Sequence, residues 1–238
     1  MDKQRFVTNL FTNLYFSWNA AGELEIPYVP HYVPEEDVSV CFLSVVFDFF
    51  ETLQSGILEG VRRAPDVYFW TECLFPTFAY SVCLRLKSSS DINSLLLVGV
   101  FLVNSAYYGV YLKCYRLFNV IPAVFLKFFT NNVTAEFSEE VYFENLKLFC
   151  HSFKSNQYLR DLITTKGLRL IEKAIRNEVA AIMVRHGPYI TLEDVIKSEF
   201  GPGLECPLPG PCTICLTNCI ANLNNIFANL MLNGLTST

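Results

Sequence analysis

Charge is scarce in this chain. Only 17% of its 238 residues are Asp, Glu, Lys or Arg, where a soluble globular domain usually carries about 25%. That poverty excludes a disordered, polyelectrolyte-like chain. Two stretches, 92–112 and 206–238, hold no charged residue at all. Histidine occurs three times, as His31, His151 and His186, so a Cys or Ser nucleophile has few bases to draw on. The patterns Gly-x-x-x-x-Gly-Lys-Ser/Thr, Gly-x-Gly-x-x-Gly, Gly-x-Ser-x-Gly and His-Glu-x-x-His are absent, which disfavours the commonest enzymes readable from sequence. No enzymatic activity is expected. Residues 1–17 contain Lys3 and Arg5 but neither the continuous apolar run nor the small-residue cleavage site of a secretory leader. The expected location is therefore intracellular, in cytoplasm or nucleus.

What the chain has in excess is apolar surface. Apolar residues make up 52%, with 21 Phe and 12 Tyr, enough to close one core in a chain of this length. That is more aromatic area than such a core needs, which leaves a remainder to face a partner. The chain has nine cysteines, and the first five read as reduced core thiols. Cys41, Cys73, Cys83, Cys114 and Cys150 lie in apolar runs, where Cys behaves as a small hydrophobe. Charge sign is uneven: residues 1–146 hold 9 basic against 16 acidic, 147–197 hold 9 against 5, and 198–238 hold 0 against 2. The basic third quarter reads as the solvated faces of amphipathic helices.

Phe6, Val7, Leu10, Phe11, Leu14 and Trp18 share one stripe of helical period, predicting an amphipathic helix docked on the rest of the domain. Residues 22–34 contain Pro27, Pro30 and Pro34. Each proline fixes its own φ and keeps the preceding residue out of the α region, so this is an extended arm packed across the domain. Glu35, Glu36 and Asp37 favour a helix N-terminus, and an apolar-periodic run follows to about residue 60. From 77 to 116 the pattern is ambiguous. Tyr80, Val82, Leu84 and Leu86 alternate as in a strand, so a short meander within an α+β fold is the alternative to helix.

The uncharged run 92–112, preceded by Ser90-Asp91 as an N-cap, has the length of a bilayer span. Asn93, Ser94, Asn104, Ser105 and three tyrosines dilute it, however. A central buried helix of a soluble bundle is expected, with membrane association as the runner-up. Thr134 or Ser138 caps a helix that turns Val141, Tyr142, Leu146, Phe149 and Phe153 inward. Another spans about 168–186 with Ile171, Ile175, Ile182 and Met183 inside, stopped by Gly187-Pro188. Thr191-Leu192-Glu193-Asp194 opens a short one after it.

Two constellations after residue 205 carry functional expectations. Cys212-x-x-Cys215 is the spacing that lets two thiolates grip one zinc ion, and Cys206 and Cys219 are near enough to complete a four-thiolate structural site. His186 is a substitute ligand for one of them. The second is a predicted helix over 213–233, where Leu216, Ile220, Leu223, Phe227 and Leu230 fall at spacings of 4, 3, 4 and 3, the seam of a short coiled coil. Asn218, Asn222, Asn225 and Asn229 repeat on another side, offering neutral donors and acceptors instead of the usual Lys and Glu. The seam is expected to bind another protein chain or a second copy of this one.

Nucleic acid is disfavoured as a partner. Lys147, Lys154, Arg160, Lys166, Arg169, Lys173, Arg176 and Arg185 precede a turn, Gly187-Pro188-Tyr189-Ile190, that suits a helix-turn-helix superficially. The segment after it sets Glu193, Asp194 and Glu199 against a single Lys197, the wrong sign for a helix beside phosphates. Cys150-His151 are adjacent, but neighbours on a helix point about 100° apart and make no dyad. The sequence thus predicts a mainly α fold, with a single helical domain over 1–205, an extended arm at 22–34 and an uncharged tail helix over 206–238. Its expected role is non-enzymatic: an interaction or assembly subunit of an intracellular complex.

Overall fold

The computed structural model describes residues 1–20, 37–53, 75–111, 117–133 and 138–186. These form seven helices and, among the described residues, no strand. They are α1 (Lys3–Ala20), α2 (Val38–Leu53), α3 (Phe75–Arg85), α4 (Asp91–Tyr111), α5 (Leu117–Asn132), α6 (Glu139–Ser155) and α7 (Gln157–His186). The fold is mainly α. The arm at 22–34, the boundary at 205 and the helix beginning at Thr191 lie outside the described residues.

Several helices begin where a side chain can satisfy the orphan N–H groups of a first turn. Asp37 opens α2, its carboxylate accepting from the Ser39 backbone N–H at 2.8 Å and from the Ser39 hydroxyl. Ser90 opens α4, its Oγ accepting from Asn93 N–H at 3.4 Å. Of the two candidate caps for α6, Ser138 is the one used, accepting from Val141 N–H, with Glu139 and Glu140 in the first turn. Asn156 is the whole joint between α6 and α7. Its N–H closes α6 on Ser152 O at 3.1 Å, while its side-chain oxygen accepts from Leu159 N–H at 3.0 Å to open α7.

The predicted stripe of α1 is buried at all six positions. It lies across α2 and α5; α6 packs on α2, and α7 packs on α3, α6, α2 and α4. Aromatic rings fill the seam where α1, α2, α5 and α6 meet. Phe6 sits 5.6 Å from Phe42, 5.7 Å from Phe129 and 5.3 Å from Phe143, centroid to centroid.

At the centre is α4. Ten consecutive residues, 94–103, are buried, so nearly three turns are covered all round, as expected of an interior helix. Its polar groups are handled locally: Asn104 donates to Val100 O and the Ser105 hydroxyl to Phe101 O, each at 2.8 Å. Among the described residues no helix is long and apolar enough to cross a membrane. Two glycines set the closest approaches around α4. A Cβ at Gly99 would lie 2.9 Å from the Phe42 ring, and one at Gly167 of α7 would lie 2.8 Å from the Leu97 side chain.

Three expectations need correction. The meander considered for 77–116 is replaced by α3 and α4. Phe75, Phe78, Ala79, Val82, Cys83 and Leu86 are buried in the core with the 3-1-3-1-3 spacing of a helix, while Leu84 of the apparent alternation is exposed. Val141 faces solvent, one residue off the buried side of α6 that carries Tyr142, Leu146 and Phe153. The last described helix starts at Gln157, eleven residues before 168, and runs on through Gly167.

Candidate functional site

The residues expected to bind zinc, Cys206, Cys212, Cys215 and Cys219, lie outside the described residues, as do Leu216, Ile220, Leu223, Phe227 and Leu230 of the partner seam. His186 ends α7, and nothing is described of its side chain. The polar chemistry that is described belongs to the joints between helices. Lys3 reaches across from α1 to donate to Phe129 O at 3.2 Å and Val133 O at 2.8 Å, with its ammonium 5.0 Å from the centre of the Phe129 ring. It satisfies carbonyls at the end of α5 and places a cation at the negative end of that helix. Asn9 Nδ2 donates to the second oxygen of Asp37 at 2.6 Å, tying α1 to the start of α2.

One ion pair is buried on its acidic side. Arg85 Nε donates to Glu178 Oε2 at 2.8 Å, joining α3 to α7, with the Arg85 side chain 39% exposed and that of Glu178 only 3%. A carboxylate taken this far from water needs its partner. The pair ties two helices of the bundle together.

The described thiols are free and lie in apolar surroundings, as expected for three of the five early cysteines. Burial pushes the Cys83 thiol well up from its ordinary value. Burial also raises Cys150, to about 12, with Cys41 nearby adding to the rise while Lys154 and a backbone hydrogen bond oppose it. These are neutral thiols at physiological pH, and a neutral thiol is neither nucleophile nor metal ligand. Cys73 and Cys114 lie outside the described residues. Cys150 is buried and His151 exposed, so their side chains point to different environments.

Tyr15 and Tyr142 are likewise held protonated, Tyr15 by burial and Tyr142 by burial with Asp91 and Cys150 adding to it. Among the described residues, three buried polar atoms have no hydrogen-bond partner: Asn13 Nδ2 on α1, Tyr142 Oη on α6 and Thr164 Oγ1 on α7. Among the described residues, no group of three or more His, Cys, Asp or Glu is placed to hold a metal ion.

No protein-family model, curated protein or solved structure matches the chain.

The basic residues weighed for nucleic acid divide once their positions are known. Lys154 is drawn to the Ser44 hydroxyl on α2, and Arg160 to Gln157 within its own helix. Of the others, Lys147 is exposed on α6, the side chain of Arg185 lies outside the described ones, and Lys166, Arg169, Lys173 and Arg176 are exposed on α7. The four on α7 repeat at spacings of 3, 4 and 3, and Arg176 pairs with Glu172. The arrangement is sharper than a basic quarter of the sequence implies. Its signal is a phase relation: the buried positions Thr164, Gly167, Ile171, Ala174 and Glu178 have the same 3-and-4 rhythm two residues out of step. Two residues are about 200° on a helix, which sets the cations opposite the packed face.

Proposed function

We propose that the chain is a non-enzymatic assembly subunit of an intracellular complex, engaging a partner chain through the apolar seam of residues 213–233. The observation that carries this reading is that the seven described helices bury their apolar stripes against one another in a single core. Leu216, Ile220, Leu223, Phe227 and Leu230 form a further stripe, in a segment with no charged residue after Glu205, and a stripe of that regularity is stable only when another surface covers it. The buried titratable groups support the same role: burial holds Cys83, Cys150, Tyr15 and Tyr142 in their neutral forms, as in a scaffold. Truncation after Gly210 tests it. The shortened protein is expected to keep its melting temperature and lose the chain that co-purifies with the full-length protein. A truncated protein that unfolds or aggregates by itself would assign the seam to this chain's own core.

The reading extends to one structural zinc held by Cys206, Cys212, Cys215 and Cys219. Four thiols within 14 residues are readily oxidised when left uncoordinated, and binding one zinc would organise the segment that leads into the seam. Protein prepared without added metal is expected to contain close to one zinc per chain by elemental analysis, released by a chelator. Zinc far below that ratio, with every thiol freely reactive after mild unfolding, would remove the metal from the proposal.

A further inference from the structure

Exposed large apolar side chains on the described surface are few, and most of them fall in one place. Of Met1, Phe16, Leu84, Val141, Leu148, Tyr158, Leu162 and Leu170, the last five lie on α6 and α7. On α6, Val141 is 43% and Leu148 63% exposed, beside the exposed carboxylates of Glu140 and Glu144. On α7, Leu162 is 36% and Leu170 50% exposed, beside Lys166, Arg169 and Lys173. Near its start α6 thus shows solvent two carboxylates edged with apolar side chains, with the exposed Lys147 one turn further on, and α7 shows a basic face edged in the same way.

Neither face is spent within the chain. Glu140, Glu144, Lys166, Arg169 and Lys173 make no ion pair among the described residues. The acidic face lies opposite the buried Tyr142, Leu146 and Phe153, and the basic face lies opposite the buried Gly167, Ile171 and Ala174. Each helix therefore turns its charged face away from the bundle that holds it, where a second molecule can reach it.

We propose that α6 and α7 form a self-association surface, the acidic face of α6 in one copy docking on the basic face of α7 in a second. In a two-fold dimer the contact occurs twice, since each copy supplies both faces. The leucines give the contact its apolar centre and the charges its register and sign. A nucleic acid would leave the leucines without a use, and an anionic membrane would be met by Glu140 and Glu144 as well as by the lysines. The short joint at Asn156, bonded to both helices, fixes how the two faces are presented. This goes beyond the tail-mediated assembly proposed above and needs nothing of residues 206–238.

Charge reversal tests it on the full-length chain, by sedimentation velocity with thermal melts as a check on folding. The wild type is expected to dimerise with a dissociation constant on the order of micromolar, and to weaken on going from about 0.05 to about 0.5 M salt. Glu140→Lys with Glu144→Lys makes both faces basic; Lys166→Glu with Lys173→Glu makes both acidic. Each double variant alone is expected to be monomeric with an unchanged melt, and an equimolar mixture is expected to form a mixed dimer. Should either variant melt early, Glu140→Gln with Glu144→Gln serves in its place and is expected to weaken the dimer about tenfold. A wild type that stays monomeric at about 100 µM, or variants that dimerise as the wild type does, overturns the proposal. So does a dimer that survives charge reversal and is lost with Leu223→Asp, which would place self-association in the C-terminal seam and leave the assembly reading standing.

Discussion

Val103→Asp is expected to abolish folding. Val103 is fully buried, at the end of the ten consecutive buried residues of α4 and within the hydrophobic core, one turn from Gly99, where Phe42 and Val46 approach the helix. An unpaired carboxylate there must either lose its hydration or take up a proton, and both routes cost several kcal/mol. Domain stability is only about 5–15 kcal/mol in total, so the variant should be recovered aggregated, or soluble without a cooperative melt. Leu84→Asp is the matched control. Leu84 is exposed on α3, and a surface change of that kind should stay within about 0.5 kcal/mol. A soluble Val103→Asp protein with a normal cooperative transition would show that α4 is not the interior helix.

What the sequence reveals and what it hides divide along physical lines. The stripe of α1, the interior character of α4 and the Ser138 cap of α6 are legible because each rests on a local pattern: period, absence of charge, or a hydroxyl three residues before a backbone N–H. The start of α7 is hidden because Thr164, Thr165 and Gly167 are poor helix formers. Gly167 is tertiary in origin: the Leu97 and Phe49 side chains come so close that a Cβ there would force them to shift. Helix α5 is obscured by Pro122, the sixth residue of the helix, which lacks the N–H its position would donate. The α3 segment misleads because an alternation at 80, 82, 84 and 86 competes with the helical spacing, and only burial decides between them.

The same division runs through the functional residues. The zinc ligands and the seam are sequence patterns, and they fall outside the described residues. The charged faces of α6 and α7 are the reverse case. Counting charge over 147–197 suggests a diffuse basic surface, because Lys154 and Arg160 enter the sum although each already has a partner. The cationic line on α7 becomes visible only when the buried stripe fixes the rotation of the helix. Exposure then separates Leu148, Leu162 and Leu170 from the buried and half-buried leucines of the same two helices, which no property of their sequence neighbours does.

Phe6→Ala should be the costliest single truncation in the N-terminal helix. The Phe6 ring is fully buried and touches three other helices at once: Phe42 on α2 edge-on at 5.6 Å, Phe129 on α5 edge-on at 5.7 Å, and Phe143 on α6 at 5.3 Å, with Phe125 stacked at 6.5 Å. Removing it forfeits the transfer energy of the ring, leaves a cavity and breaks several aromatic contacts, a combination that costs about 3–5 kcal/mol. The surroundings have little freedom to collapse into the space. Lys3 is bonded to the end of α5 and Asn9 to Asp37 at the start of α2, so α1 is held in place on both sides of the missing ring. Phe6→Leu keeps most of the volume and should cost about 1–1.5 kcal/mol. Urea denaturation reads both, as a fall in the midpoint with an unchanged slope. If Phe6→Ala costs less than about 1 kcal/mol by that measure, the α1 contacts do not form part of the cooperative core, and the packing described for the first helix is wrong.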